Sequence, residues 1–418
     1  ALELEARAFG RVVSGEVCRN MIHAFFVREA AKKRTLEGWF QGVSRQGFRL
    51  APVIRVGVVG AGVMGSGIAQ FLAAKGHTVI LRDVKPEFVE SGIGVARRLF
   101  EESARRGKLP PSEVEAGLGR ITGTTAWEGF EACDLVIEAI VEDVGAKRAL
   151  FSELAAVAQP DAILASNTSA LPIEVIAGHV PRPERTIGIH FFNPVSRMAL
   201  VELILAKETS AEVAERALAF LKSLGKSPVV CRSSPGFLVT RVLFFYLNEA
   251  VRLREQGVSA EMIDQALRDF GWPMGPLRLI DEVGVDVTGF IFGEMAHYFP
   301  GRFAATLTCG AMVSKGLRGR KNGTSSGFYV YPADKGGPEM LNRAVSSLPQ
   351  SHCREPARTL SAQEVVDHLM GVMVSEARLC LDEGVVRSSD DLDFALLSGA
   401  GFPAFRGGLM RYAARIIP

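Results

Sequence analysis

A glycine-rich turn between a strand pattern and a helix pattern constrains the fold of this chain most strongly. Residues 53–59 are rich in valine and isoleucine and run directly into Gly60-Ala61-Gly62-Val63-Met64-Gly65, which opens an amphipathic helix pattern. In such a unit Gly60 allows a tight turn, Gly62 lets a pyrophosphate approach the backbone, and Gly65 permits close packing of helix on strand. The free N–H groups of the helix N-terminus attract phosphates. The pattern therefore predicts a dinucleotide site; the alternative is a glycine-rich turn without a ligand.

An acidic residue follows the second strand pattern. Asp83 lies 18 residues after Gly65, just beyond a strand pattern at residues 78–81. A carboxylate at this place accepts hydrogen bonds from the adenosine ribose hydroxyls and repels a 2′-phosphate. Asp83 therefore favours NAD over NADP, while the neighbouring Arg82 acts in the opposite direction.

Strand and helix patterns alternate over the first half of the chain. Further apolar strand patterns lie at residues 135–140, 162–165 and 186–189, with helix-length segments between them. Alternation of this kind predicts an α/β fold with a Rossmann-type, doubly wound parallel sheet. After Pro228 we expect the strands to stop and helices to take over.

The helical part contains an internal repeat. Residues 248–273 and 375–403 both read as a helix, a turn ending in glycine, a second helix and a Gly-aromatic-Pro loop. We therefore expect two repeated all-α modules packed together. A helical segment over residues 1–50 precedes the sheet.

Composition excludes several classes of protein. The 418 residues are 48% hydrophobic and 22% charged, with a formal net charge of +2, which is typical of a folded globular protein and gives no reason to expect a nucleic-acid partner. No apolar run is long enough to span a membrane. The six cysteines are far apart and fit reduced thiols, and neither cysteines nor histidines have metal-ligand spacing, so no metal is expected.

A histidine and a glutamate are candidates for acid–base chemistry. His190 ends a strand pattern, and Glu202 lies within the apolar run of residues 199–205, which reads as a buried strand. A buried carboxylate is costly unless it is paired, and His190 is the nearest candidate partner. Such a pair would leave one imidazole nitrogen free to act as a base. The alternative is a core histidine beside an unrelated glutamate.

Polar residues follow two other strand patterns. Ser166-Asn167-Thr168-Ser169 ends one strand pattern, and its hydroxyls either bind a substrate oxygen or cap the next helix. Glu142 and Lys147 follow the pattern at residues 135–140, where ligands bind in parallel sheets, although a solvated helix start explains them equally.

Taken together, these motifs resemble the L-3-hydroxyacyl-CoA dehydrogenases. The resemblance covers residue 53 to the C-terminus and includes the glycine-rich loop, Val136-Ile137-Glu138-Ala139-Ile140-Val141-Glu142, Ser166-Asn167-Thr168-Ser169, His190-Phe191-Phe192-Asn193-Pro194 and Pro235-Gly236-Phe237. Residues 1–50 are similar to the end of the enoyl-CoA hydratase region and the linker helix of multifunctional fatty-acid oxidation enzymes. The resemblance implies a hydratase-like tail and linker over 1–50, a Rossmann domain over 51–232, and helical modules over 233–345 and 346–418.

The resemblance also implies roles for individual residues. His190 is expected to be the general base, Glu202 its orienting partner, and Ser169 a hydrogen-bond donor to the substrate oxygen. The NAD site would be lined by Glu142, Lys147 and Asn193 on the nicotinamide side and by Met64 and Asp83 on the other. Thr240 stands where the family usually has a catalytic asparagine, which puts the strength of catalysis in question.

The implied reaction is oxidation of an (S)-3-hydroxyacyl-CoA to the 3-ketoacyl-CoA in fatty-acid β-oxidation. Two alternatives are an NAD-dependent dehydrogenase of a small hydroxy acid without CoA, and an NAD-binding scaffold with little activity. The implied partners are the acyl-CoA substrate and either a second copy of the chain or a thiolase-containing complex. The implied location is cytoplasmic for a bacterial-type protein, and peroxisomal or mitochondrial for a eukaryotic one.

Overall fold

The computed structural model of this chain describes residues 2–43, 48, 50–320, 326–331, 340–346, 348 and 359–416. Its internal contacts divide the chain into two compact units. A sheet unit comprises Phe26–Phe237 with Val385–Arg387, and a helical unit comprises Ala1–Phe25, Leu238–Gly384 and Ser388–Pro418. Two helices begin the chain, α1 (Leu2–Ser14) and α2 (Glu16–Lys32).

The sheet unit is built on eight strands in the order β3-β2-β1-β4-β5-β6-β7-β8. The strands are β1 (Arg55–Val59), β2 (Thr78–Arg82), β3 (Ile121–Thr124), β4 (Leu135–Glu138), β5 (Ile163–Ser166), β6 (Thr186–Phe191), β7 (Leu200–Leu205) and β8 (Ser227–Arg232). Neighbouring strands from β3 to β6 are parallel, β7 is antiparallel to β6, and β8 is parallel to β7.

Helices cover both faces of the sheet. Every residue of β4, β5, β6 and β7 is buried, as expected for strands enclosed on two sides. The helices of this unit are α3 (Val63–Ala74), α4 (Pro86–Arg105), α5 (Glu113–Leu118), α6 (Val144–Val157), α7 (Ile173–Ala177) and α8 (Ala211–Ser223). The β1–α3–β2 and β4–α6–β5 connections step in opposite directions along the sheet, so right-handed crossovers place α3 and α6 on opposite faces.

The predicted α/β fold is confirmed, with corrections to individual strands. The expectation that strands stop after Pro228 was wrong, since β8 extends to Arg232 and a short hairpin follows, formed by β9 (Tyr329–Val330) and β10 (Met340–Leu341). Proline is tolerated in β8 because β8 is an edge strand. The sheet is parallel as predicted except at β7, which is antiparallel to β6 because the loop 192–199 is too short for a crossover.

The helical unit contains the two copies of the repeat. Its remaining helices are α9 (Val239–Glu255), α10 (Ala260–Phe270), α11 (Pro276–Val283), α12 (Val285–Tyr298), α13 (Thr308–Ser314), α14 (Arg343–Ser346), α15 (Ala362–Asp382), α16 (Ser389–Ala395) and α17 (Leu409–Ile416). In the pairs α9–α10 and α15–α16, the turns contain Gly257 (φ 95°) and Gly384 (φ 70°). The second helix of each pair is capped by a serine side chain, from Ser259 and Ser388.

Matching aspartates in the two copies of the repeat each cap the start of a helix. Asp264 accepts hydrogen bonds from the backbone N–H groups of Leu277 and Arg278, which begin α11. Asp393 accepts the corresponding bonds from Met410 and Arg411 at the start of α17. The repeat therefore reproduces a helix-capping contact as well as a sequence pattern. The domain boundaries expected at residues 50, 232 and 345 stay predictions. One of the six cysteines, Cys353, lies outside the described residues.

Candidate active site

The glycine-rich loop between β1 and α3 has the geometry of a phosphate cradle. Gly60 has a φ of 107°, and a Cβ atom there would lie 2.4 Å from the carbonyl oxygen of Ala139. A Cβ at Gly65 would lie 1.8 Å from the carbonyl oxygen of Gly60. Gly62, the N-cap of α3, is different, because a Cβ there would meet no atom within 4 Å. The first and third glycines are thus required by the protein's own packing, while the second borders open space at a helix N-terminus, which fits a pyrophosphate.

Asp83 joins this loop to the end of β2. Its Oδ2 accepts a hydrogen bond of 2.7 Å from the Ala61 N–H, and its Oδ1 accepts one of 2.7 Å from the Val84 N–H. Each carboxylate oxygen has two lone pairs, so both can still accept a ribose hydroxyl. The carboxylate is therefore fixed beside the phosphate cradle, as an NAD site requires.

The neighbouring Arg82 is held by a different part of the sheet unit. Its guanidinium carbon lies 3.7 Å from the centre of the Trp127 ring, and the Trp127 indole N–H donates a 3.0 Å hydrogen bond to Glu153 on α6. Asp83 instead contacts the loop that leads into α3, on the opposite face of the sheet. The Arg82 cation is thus stacked on an indole ring rather than paired with the Asp83 carboxylate.

His190 and Glu202 form a buried pair across two antiparallel strands. They are direct register partners in β6 and β7, and His190 Nδ1 lies 2.7 Å from Glu202 Oε2. The Glu202 side chain is 0% exposed and that of His190 is 6% exposed. A carboxylate at Nδ1 favours the tautomer with its proton on that nitrogen and leaves Nε2 as the free base.

The free nitrogen of His190 faces a serine hydroxyl. Ser169 Oγ lies 3.1 Å from His190 Nε2, and the ring of Phe192 packs 4.5 Å from the imidazole, centre to centre. The structure therefore brings three predicted catalytic residues, His190, Glu202 and Ser169, into one hydrogen-bonded chain. The expectation of an unrelated core histidine does not describe this geometry.

Glu142 positions the Ser169 loop. One of its carboxylate oxygens accepts a 2.9 Å hydrogen bond from the Ser169 N–H, and the other accepts one of 2.9 Å from the Thr168 hydroxyl. Both contacts hold the segment that follows β5. Glu142 therefore fixes the loop whose Ser169 hydroxyl faces His190.

Lys147 is buried among carboxylates. Its Nζ lies 2.5 Å from Glu138 Oε1 and 3.4 Å from Glu142 Oε2, and its side chain is 1% exposed. Lys147 is therefore not a solvated residue at the start of a helix. Glu138 also accepts hydrogen bonds from the Ser166 hydroxyl and the Ile140 N–H, so it ties β4, β5 and α6 together at the same sheet edge.

The structure places the remaining predicted residues in three other segments of the chain. Asn193 is exposed in the loop between β6 and β7, followed by a cis peptide bond to Pro194, and Met64 is half-buried in the first turn of α3. Thr240 is buried in the first turn of α9 and belongs to the helical unit. The roles expected for these three residues stay predictions.

Two residues of the network had no predicted role. Glu138 belongs to one of the family motifs, and a glutamate at the end of a buried strand is itself a signal of a paired carboxylate. Asn167 lies in a predicted polar segment, and its side-chain oxygen accepts a 2.8 Å hydrogen bond from the Phe191 N–H. This contact ties the end of β5 to the end of β6, next to His190.

Neither a metal cluster nor a membrane-spanning helix is found in the described part of the chain. There, no group of three or more histidines, cysteines or acidic residues is placed to hold a metal ion. Nor does any helix of that part combine the length and apolar character needed to cross a bilayer.

Comparison with known proteins places the chain in a family. Residues 55–234 match the family model described as 3-hydroxyacyl-CoA dehydrogenase, NAD binding domain, and residues 236–331 match the C-terminal domain of the same enzyme. A fatty acid oxidation complex subunit alpha from Psychrobacter cryohalolentis is 37% identical over 419 residues, which are 99% of this chain and 56% of that protein. One from Pseudomonas syringae pv. tomato is 36% identical over 416 residues, again 56% of its length. The chain thus spans little more than half the length of these curated relatives.

Solved structures agree with the family models. The 3-hydroxybutyryl-CoA dehydrogenase of Escherichia coli K12 has a TM-score of 0.74 and 30% identity, covering 88% of this chain and 92% of its own. An (S)-3-hydroxybutyryl-CoA dehydrogenase from Ralstonia eutropha has a TM-score of 0.63 and 35% identity, covering 67% of this chain and 99% of its own. The predicted family and the predicted cofactor, NAD, are confirmed. The chain belongs to the 3-hydroxyacyl-CoA dehydrogenase family of NAD-dependent oxidoreductases.

Proposed function

We propose that this chain oxidises an (S)-3-hydroxyacyl-CoA to the 3-ketoacyl-CoA as a step of fatty-acid β-oxidation. The observation that carries the proposal is the hydrogen-bonded chain from Glu202 through His190 to Ser169. It lies at the carboxyl end of the parallel strands, as does the glycine-rich loop, and this is the edge where ligands bind in such sheets.

The proton goes to His190. Bound NAD supplies the hydride acceptor for the electron pair that leaves C3 with its hydrogen. As the hydroxyl oxygen becomes a carbonyl, Nε2 of His190 accepts its proton, and the buried Glu202 carboxylate stabilises the resulting imidazolium. Ser169 donates a hydrogen bond to the same oxygen and so orients the hydroxyl toward His190.

The other predicted residues hold the reactants. Asp83 receives the adenosine ribose, Met64 lines that side of the cofactor, and Glu142, Lys147 and Asn193 lie on the nicotinamide side. Glu142 does this while it also holds the Ser169 loop, and Lys147 pairs with Glu138 and Glu142. Thr240 takes the place of the usual asparagine, and loss of rate in Thr240→Val would support a contact from its hydroxyl to the reacting oxygen.

The substrate class is an acyl-CoA thioester. The names of the curated relatives and of the similar dehydrogenases support this choice, as they refer to fatty acid oxidation and to a hydroxybutyryl-CoA. The relatives are named as subunits of a complex, which supports a larger assembly, with a second copy or a thiolase as its further member. The two curated relatives described above are bacterial, which supports a cytoplasmic location.

The test follows NADH absorbance with a series of 3-hydroxyacyl-CoA chain lengths and with small hydroxy acids that lack CoA. The proposal expects turnover of one or more CoA thioesters and none of the free hydroxy acids. Turnover of the free acids alone would favour the small-acid dehydrogenase. NAD binding without any turnover would favour a scaffold.

A further inference from the structure

A buried lysine outside the proton-transfer network contacts the loop that carries Asn193. Lys226 immediately precedes β8 and is only 6% exposed. Its Nζ donates a 2.7 Å hydrogen bond to the carbonyl oxygen of Met198 and another to that of Val195. Both carbonyls belong to the loop 192–199, which joins the strand of His190 to the strand of Glu202.

Among the residues that the structure describes, this ammonium group is surrounded by carbonyl oxygens and ring faces, not carboxylates. The nitrogen lies 4.1 Å from the centre of the Phe71 ring and 6.0 Å from that of Phe191. Burial, together with a smaller effect of the Lys75 charge, lowers the pKa of Lys226 to about 8. Burying an ammonium group costs desolvation free energy, which the hydrogen bonds to two carbonyls and the contacts with two ring faces offset.

The contacts of Lys226 determine the shape of the loop. Within the loop, the N–H groups of Arg197 and Met198 both turn back to the carbonyl of Pro194, at 2.9 and 3.1 Å. The carbonyls of Val195 and Met198 point instead to Lys226, which draws the two sides of the loop onto one nitrogen. A compact ammonium with three N–H donors suits this geometry, because it can bind two carbonyls and still face a ring.

We propose that Lys226 is a positioning residue that holds the loop 192–199, and with it Asn193, in the conformation that receives the nicotinamide half of NAD. The inference rests on the proposed function, because that function places Asn193 on the nicotinamide side. Lys226 touches neither substrate nor cofactor in this account. Its effect reaches NAD only through the loop.

The test compares NAD with ADP-ribose, which lacks the nicotinamide ring. Dissociation constants for NAD and for ADP-ribose are measured by titration calorimetry on the wild-type protein and on Lys226→Met. The variant keeps the length of the side chain and removes its donors and charge. We expect the Kd for NAD to rise about tenfold or more, since displaced positioning groups weaken binding steeply, and the Kd for ADP-ribose to stay within about twofold.

Lys75→Met is the matched control. Lys75 is exposed and lies 5.8 Å from the same Phe71 ring, but it is not among the donors to the loop carbonyls. Both dissociation constants should remain at their wild-type values in this variant. If Lys226→Met does not fold, Lys226→Leu, which also lacks N–H donors and charge, replaces it in the same titrations with the same expectation.

Each outcome decides one of the two claims. Equal changes in both dissociation constants, or no change in either, would overturn the positioning role of Lys226 and leave the proposed function intact. A wild-type protein that binds neither ligand would contradict the proposed function itself. A loss confined to NAD in Lys226→Met, absent in Lys75→Met, supports the inference.

Discussion

His190 and Glu202 face each other as register partners across β6 and β7, with Nδ1 2.7 Å from Oε2. The pairing follows from the hairpin, because the loop 192–199 sets which residues of the two strands lie opposite each other. A contact made by strand register is rigid, which suits a base that must keep Nε2 directed at one oxygen.

Replacing Glu202 tests the support given to His190. Glu202→Gln keeps the shape of the side chain and removes the charge that stabilises the imidazolium, so we expect kcat to fall by about 10²-fold or more while Kd for NAD stays unchanged. Steady-state kinetics measure kcat, and titration with NAD measures Kd. Glu208→Gln, the same change at an exposed glutamate after β7, is the control. Wild-type kcat in Glu202→Gln would remove Glu202 from the mechanism.

Breaking the buried pair of Lys147 should lower stability. Lys147→Met leaves the Glu138 carboxylate buried without its ammonium partner, so we expect a loss of about 3–5 kcal/mol in the free energy of unfolding. Arg97→Met breaks an equally short pair with Glu115, but that pair is on the surface, so its loss should be below about 1 kcal/mol. Urea unfolding of both variants gives the comparison. Equal losses would contradict the structural role assigned to Lys147.

A buried aspartate of the repeat should give stability a distinctive pH dependence. Burial raises the pKa of Asp264 from 3.8 to about 6, against the hydrogen bonds from Tyr329, Leu277 and Arg278. The folded state thus binds this proton more tightly than the unfolded state, so the contribution of Asp264 to stability falls as pH rises from about 4 to about 6. Asp264→Asn should lack this fall, although it is less stable at every pH because an amide cannot accept all three bonds. Unfolding curves at several pH values decide; the same pH slope in both proteins would refute the assignment.

Cofactor choice should depend on Asp83 and on the stacking of its neighbour. We expect the wild-type protein to have a higher kcat/KM with NAD than with NADP, because Asp83 repels a 2′-phosphate. Trp127→Ala removes the ring that holds Arg82 and should raise the relative kcat/KM for NADP, whereas Trp127→Phe keeps an aromatic face and should not. Binding of 2′,5′-ADP gives a second measure without turnover. Equal wild-type values for the two cofactors would contradict the role of Asp83.

Local patterns predicted those parts of the site that depend on short segments. The glycine-rich loop and Asp83 follow from one strand–turn–helix unit, and the pairing of His190 with Glu202 follows from a carboxylate within a buried strand. β3 was missed because Ile121–Thr124 has a single large apolar residue, and β8 because it contains a proline that only its edge position makes acceptable.

Local sequence patterns could not predict contacts between different elements of the fold. The burial of Lys147 depends on α6 folding back over the end of β4, and the role of Lys226 depends on a loop that precedes it by about thirty residues. In both cases the lysine is buried by contacts with another element of the fold, and the sequence around it is equally typical of a surface lysine.

The most direct test of the proton-transfer account is the rate of NADH formation by His190→Gln with a 3-hydroxyacyl-CoA that the wild-type protein oxidises. The amide cannot accept the hydroxyl proton as imidazole does, so kcat should fall by about 10²–10⁴-fold. The Kd for NAD, measured on the same preparation, should stay at its wild-type value, because His190 holds no part of the cofactor. A variant that retains the full wild-type kcat would contradict the assignment of His190 as the base.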